Sequence, residues 1–258
     1  MTAQCWALHT EADLEQVNIH LAALQTAGLL GMVEEGGHAV VYLPGRVEGL
    51  PVGGRWEAIP ERDWLAVWKA GVQPVTAGAV TVTPPWIDAG PDAIVIEPGQ
   101  AFGTGHHETT LGCLTALQDL PLDGRGVLDV GTGSGVLAIC AARRGAARVV
   151  AVDVDPLAVS AAAANARANQ VNVDVRLGST EVVLPERFDV VLANLDTSTL
   201  SQVAPALVAV LADSGTLVAS GVSLERLAEA LDALEAAGLE VEARPGQEWA
   251  VLVARPKS

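Results

Sequence analysis

The sequence predicts an α/β fold: a mostly parallel sheet closed by an antiparallel C-terminal hairpin, with a small α+β domain in front of it. Three observations lead there. From about Val75 onward, strand-like runs alternate with helix-length segments, which implies right-handed crossovers and parallel pairing. The last two runs, residues 239–243 and 249–254, are joined around Pro245-Gly246, a link too short for a crossover, so that pair must be antiparallel. The first 54 residues follow another rhythm, in which a strand, a helix and a hairpin lead to a loop rich in Gly and Pro.

Taken in order, residues 5–9 read as a short strand. Thr10 and Asp13 have capping-box spacing ahead of Leu14, Val17, Leu21 and Leu24, which recur at helical intervals, and Gly28 can end that helix. Runs 29–34 and 38–43 flank Gly36-Gly37 and predict a hairpin. The N-terminal domain, residues 1–54, is expected to end around Gly53-Gly54. Pro60 suits the first turn of a helix carrying Trp64, Leu65 and Trp68 and stopped by Gly71, a connector within residues 55–74. The main domain, residues 75–258, has strand candidates at 80–83, 93–96, 126–130, 149–152, 173–177, 189–193 and 216–220. Helices are expected at 109–117, 136–143, 156–168, 200–211 and 224–236.

Composition narrows the function classes. Half of the 258 residues are hydrophobic (50%), enough for a full α/β core beside a smaller one. No charge-free apolar run reaches membrane-spanning length and no signal-peptide pattern opens the chain, so a cytoplasmic protein is expected. Cys5, Cys113 and Cys140 are scattered, which fits reduced core thiols better than disulfides or a metal site. With 15 basic against 31 acidic residues and a net charge of −16, the chain is poorly suited to neutralising phosphates. No direct nucleic-acid binding is expected. A basic protein or a cationic group is the better substrate, and the same acidity also serves solubility.

The segment with most chemical content is the predicted strand 126–130 running into Gly131-Thr132-Gly133-Ser134-Gly135, followed by a strand ending in Asp153. Glycines let the backbone approach a ligand where a Cβ would collide, and the next helix aims its N-terminal amides at the same space. A carboxylate about 20 residues further on can accept both hydroxyls of a ribose. The glycines alone also fit a turn that uses them only for geometry; Asp153 favours an adenosine-containing cofactor. Val136 stands where a dinucleotide fingerprint needs its third glycine, so the pattern is Asp129-x-Gly131-x-Gly133-x-Gly135. That pattern resembles the first motif of S-adenosylmethionine-dependent methyltransferases, whose Rossmann-like class I sheet also ends in an antiparallel hairpin.

A longer stretch, Glu97-Pro98-Gly99-Gln100-Ala101-Phe102-Gly103-Thr104-Gly105-His106-His107-Glu108-Thr109-Thr110, resembles the cofactor-capping loop of the ribosomal protein methyltransferase PrmA family. Asp63-Trp64-Leu65 and Ala193-Asn194-Leu195 are similar to the same family, from about Arg55 onward. The resemblance implies S-adenosyl-L-methionine as cofactor and, as substrate, the large-subunit stalk-base ribosomal protein eleven, methylated on lysine and N-terminal amines. It implies cofactor contacts at Thr110 and Asn194, beside those argued above for Gly131, Gly133 and Asp153. Gly99, Gly103 and Gly105 would let the loop fold over the cofactor with Phe102 as an apolar lid; a static loop with a buried aromatic fits as well. Asn194 would also orient the acceptor nitrogen. Asn194-Leu195-Asp196-Thr197 lacks the two prolines of glutamine-modifying relatives, which favours an amine over a planar amide. No role is carried over to Asp196.

S-adenosylmethionine is already activated, so the protein's task is to aim a neutral nitrogen at the methyl group. A lysine amine, with an unperturbed pKa of about 10.4, must first lose a proton. His106 and His107 are the candidates to take it, although loop histidines commonly satisfy backbone groups instead. Two adjacent histidines with no visible third ligand do not make a metal site. Two other readings stand beside protein methylation: methyl transfer to another amine, in a small molecule, another protein or RNA, and a non-catalytic cofactor-binding module.

Overall fold

Strand β1 (Cys5–Thr10) places Leu8 in one apolar cluster and Cys5 and Ala7 in another on its opposite face. That period-2 alternation gives the N-terminal unit its sheet. The structure, a computed structural model, describes residues 5–59, 72–98 and 107–257. The connector helix with Trp64 and Trp68, and the loop positions Phe102 and His106, lie outside the described residues. The chain divides into two units, Met1–Val72 and Gln73–Ser258.

In the first unit β1 is followed by α1 (Leu14–Asn18), α2 (Leu21–Thr26), β2 (Gly31–Glu35), β3 (His38–Leu43) and β4 (Gly54–Ile59). The sheet order is β2-β3-β1-β4, antiparallel throughout. Gly36 and Gly37, both with positive φ, turn the expected hairpin. Three expectations change. The single helix is two short ones, broken at Ile19-His20, with Ile19 exposed. Its cap is Asp13, whose carboxylate accepts from Gln16 N (2.8 Å), while Thr10 donates to the Ala39 carbonyl (2.8 Å) and ties the end of β1 to β3. The sheet also continues past Gly53-Gly54: β4 pairs with β1 along its length, so residues 54–59 belong to the N-terminal unit and not to a connector.

The second unit opens with a small sheet of β5 (Val75–Ala77), β6 (Val80–Thr83) and β7 (Ile94–Val95). These strands were expected in the main parallel sheet and stand apart from it. The free edge of β7 is taken by side chains: Asn169 accepts from Val95 N (2.8 Å) and donates to Val95 O (2.6 Å). Asn165 accepts from Glu97 N (3.1 Å) and donates to the Ser134 carbonyl (2.8 Å).

Helix α3 (Glu108–Gln118) leads into β8 (Gly126–Val130), α4 (Val136–Arg143), β9 (Arg148–Asp153), α5 (Pro156–Ala168), β10 (Asp174–Leu177) and β11 (Phe188–Asn194). Then come α6 (Thr197–Val210), β12 (Leu211–Ser223), α7 (Leu227–Ala236), β13 (Leu239–Pro245) and β14 (Trp249–Pro256). The seven-stranded order is β10-β9-β8-β11-β12-β14-β13, parallel except for β14. Neighbouring residues of the central strands enter opposite cores. Val127 and Val149 pack with Leu114 and Ile139 of α3 and α4; Leu128 and Val150 pack with the side of Leu200 and Leu207 of α6. Burying each such side chain contributes about 1.5–3 kcal/mol. Cys5, Cys113 and Cys140 are free and buried, and burial pushes the Cys113 thiol up to about 12.

Candidate active site

The sheet order reverses direction between β8 and β11, and ligands of open α/β sheets bind in the crevice beyond the strand ends at such a point. Here that crevice is a cavity of about 600 Å³. Its wall is supplied by the segments that follow β8, β9 and β10 (Gly131, Asp153, Gly178) and by those at the ends of β11 and β12 (Asn194, Gly221). Trp249 reaches the same rim because β14 runs the other way and begins there. Strands β10 and β12 are four positions apart, so the cavity spans about 19 Å of sheet.

Backbone dominates one end. Gly131 has φ +71°, and a Cβ there would run into the Leu195 side chain. The Gly131 and Thr132 amides both donate to the Val152 carbonyl, at 2.9 and 3.1 Å, which fastens the turn to β9. Asp153 accepts from Gly133 N (2.9 Å) on one oxygen and from Asp155 N (3.0 Å) on the other. Each oxygen keeps a further lone pair for a ribose hydroxyl. Beneath the turn, Asp129 is buried and accepts from the Thr132 hydroxyl (2.6 Å) and from Ala138 N (3.2 Å) in α4. Burial outweighs those two bonds and pushes its carboxyl up to about 6. Sequence reasoning assigned Asp129 no task, although its place before the glycines was visible.

Side chains dominate the other end. Asn194, at the end of β11, donates through Nδ2 to Thr110 Oγ1 (3.3 Å), which directs its carbonyl oxygen toward other donors. Thr110 itself is buried and does not line the cavity, whereas the neighbouring Thr109 does. His107 lines it as the N-cap of α3, with Nδ1 near Thr109 N (3.3 Å) and Thr109 Oγ1 (2.8 Å), so this nitrogen serves the helix end. Asp196 caps α6 by accepting from Ser198 N (3.0 Å) and Thr199 N (3.1 Å); with the Thr199 hydroxyl, these bonds hold its carboxyl below the usual range. Gly221 has φ +85°, and a Cβ there would strike the Leu195 backbone, so only glycine lets β12 pass so close. Asp196, within the Asn194 tetrapeptide, lines the cavity although no role was carried over to it; Gly221 and Trp249 line it without having been singled out from sequence, far from every motif and collected only by strand order.

The cavity suits the cofactor that the motifs imply. Its volume lies in the range of small-molecule sites, its turn presents backbone, and its carboxylates favour a cationic sulfonium. Together with the reversed last strand, this defines a class I S-adenosylmethionine-dependent methyltransferase. More narrowly, the chain belongs to the ribosomal protein L11 methyltransferase (PrmA) family, whose profile matches residues 40–257. It is 41% identical to the ribosomal protein L11 methyltransferase of Deinococcus radiodurans over 92% of this chain and 93% of that one. The Thermus thermophilus protein of the same name is 36% identical over 96% of this chain and 98% of its own. A crystal structure of ribosomal protein L11 methylase from Lactobacillus delbrueckii superposes with a TM-score of 0.68 and 28% identity, covering 72% of this chain and all (100%) of that one.

Proposed function

We infer that this chain transfers methyl groups from S-adenosylmethionine to lysine and N-terminal amines of ribosomal protein L11. One observation carries the reading: the similarity to L11 methyltransferases reaches into both units and is not confined to the cofactor motifs. Neither another amine substrate nor a non-catalytic module is favoured by that relationship. A ribosomal protein substrate supports a cytoplasmic location. Among the described residues no helix is long and apolar enough to cross a membrane.

When bound, the cofactor supplies a methyl group on a positively charged sulfur, ready for in-line attack. The protein's residues do the rest. Asp153 would hold the ribose and the Gly131–Gly133 turn the methionine part, with Ser179 and Gly178 where the adenine would lie. Asp196, an ionised carboxylate, draws an incoming ammonium in, while the apolar walls Leu195, Val203 and Trp249 disfavour its charged form. Asn194 accepts a hydrogen bond from the amine and aims its lone pair. His107 lines the cavity, but its Nδ1 accepts from the Thr109 amide and the neutral ring then carries its proton on Nε2, so it takes the amine's proton only by giving up that cap. Phe102, the apolar lid, and His106, the other candidate to take the proton, lie outside the described residues.

The N-terminal unit is assigned to substrate recognition and Gln73–Ser258 to methyl transfer. The purified protein, incubated with labelled cofactor and purified L11, should add methyl groups to L11 detected by mass spectrometry. Transfer to other amines with none to L11 would overturn the assignment. A chain truncated to residues 73–258 should keep cofactor binding and lose most transfer to L11.

A further inference from the structure

The turn between β13 and β14 is held by one residue from a distant helix. Glu108, the first residue of α3, accepts from Gln247 N (2.6 Å) on one carboxylate oxygen and from Glu248 N (3.2 Å) on the other. Gly246 makes the approach possible, since a Cβ there would strike the Glu108 carboxylate. The turn is closed on its other side by Gly246 N to the Trp249 carbonyl (2.8 Å), so the clamp fixes the residue at which β14 begins. From that position the Trp249 indole meets the His107 ring edge-on, with centroids 5.1 Å apart and an interplanar angle of 67°.

Trp249 and Thr109 form a shared wall. On one side is the catalytic cavity; on the other is a second cavity of about 230 Å³, which Glu108 lines. Glu108 does not line the catalytic cavity, and both of its oxygens are committed to backbone amides, so it has no part in the chemistry itself. The second cavity is space into which the indole can turn once its turn is released.

We propose that Glu108 is a positioning residue: its clamp on the hairpin turn holds the Trp249 indole against His107, where it walls the acceptor end of the catalytic cavity. The wall excludes water from the reacting nitrogen and keeps the acceptor's approach on the Asn194 side. This rests on the methyl-transfer reading above, but the clamp has a signature that needs no substrate. The variants are Glu108→Ala and Glu108→Gln; glutamine keeps one acceptor oxygen and turns an amide donor toward the second backbone N–H.

Two readouts decide it. In ¹H–¹⁵N spectra, the Trp249 indole resonance, identified by its loss in Trp249→Phe, should shift in both Glu108 variants. In steady-state methylation of L11, Glu108→Ala should lower kcat at least about tenfold at saturating cofactor, with Glu108→Gln between it and wild type. Cofactor Kd should stay within about twofold. The double variant Glu108→Ala/Trp249→Ala should lose no more than Trp249→Ala alone, because both changes remove one device. An unmoved indole resonance, additive losses, or a parallel fall of kcat, cofactor affinity and thermal midpoint in the Gln variant would overturn the proposal. Wild-type transfer to L11, measured alongside, tests the functional reading separately, so the two failures cannot be confused.

Discussion

The two ends of the catalytic cavity are built on different plans. At the ribose end, adjacent strand ends β8 and β9 supply nearly everything, and the binding groups are backbone amides and one carboxylate. At the acceptor end, α3, β11, the α6 cap, β12 and β14 each contribute a side chain or a glycine, and no two consecutive elements complete it. A part shared by many cofactor users can be written as a short local motif. A part that must recognise one acceptor is assembled by the tertiary fold, where each segment can change on its own.

The largest test of this contrast concerns Asp129, a side chain hidden within the backbone-dominated end. Its carboxyl rises from the ordinary 3.8 to about 6 on folding. The folded protein therefore holds a proton that the unfolded chain has released between those values. Stability from this group is fully present below about pH 4 and is lost as pH rises through 6, by about 3 kcal/mol. Urea unfolding of wild type and Asp129→Asn from pH 4 to 7 should show the variant gaining that amount relative to wild type. A pH-independent difference would mean that the Thr132 and Ala138 bonds offset the burial.

Next in size, Asn194→Ala should lower kcat about 100-fold and cofactor affinity by much less, read by single-turnover methylation and calorimetry. A loss of affinity instead would move Asn194 to the cofactor side and erase the division. Asp153→Ala should do the reverse, weakening cofactor binding by about 1.5–3 kcal/mol in calorimetry. Unchanged affinity in the folded variant would take Asp153 out of the site. The smallest effect is expected for Asn165→Asp, which cannot donate to the Ser134 carbonyl and should lose about 1–3 kcal/mol of unfolding free energy. A midpoint equal to wild type would show that water replaces the bond.

How much could be read beforehand follows the same line. β8, α4 and α5 occupy the expected residues because their signals are local: a glycine turn, Pro156 in the first turn of a helix, and an arginine in the last turn of α4. The glycine turn and Asp153 were equally legible, since a strand end and its turn are contiguous. The separate sheet β5-β6-β7 was not, because the partners that occupy its edge are Asn165 and Asn169, some 70 residues away in sequence. Nor was the break at Ile19-His20: Leu14, Val17, Leu21 and Leu24 keep helical spacing across it, and the interruption lies in the backbone at His20. Trp249 read as the start of a strand; its place on the cavity depends on β14 running against its neighbours.

Asn165 has one more consequence, and it concerns spacing. With a single amide it holds the carbonyl of Ser134 in the glycine turn and the N–H of Glu97 at the entrance to the second signature segment. The two most recognisable passages of the chain are thus joined through a residue that belongs to neither. Aspartate there keeps the acceptor and loses the donor; leucine loses both. Asn165 is buried, so the unmatched group would face protein and not solvent. A change in the spacing of either passage therefore has to be re-fitted at this one amide.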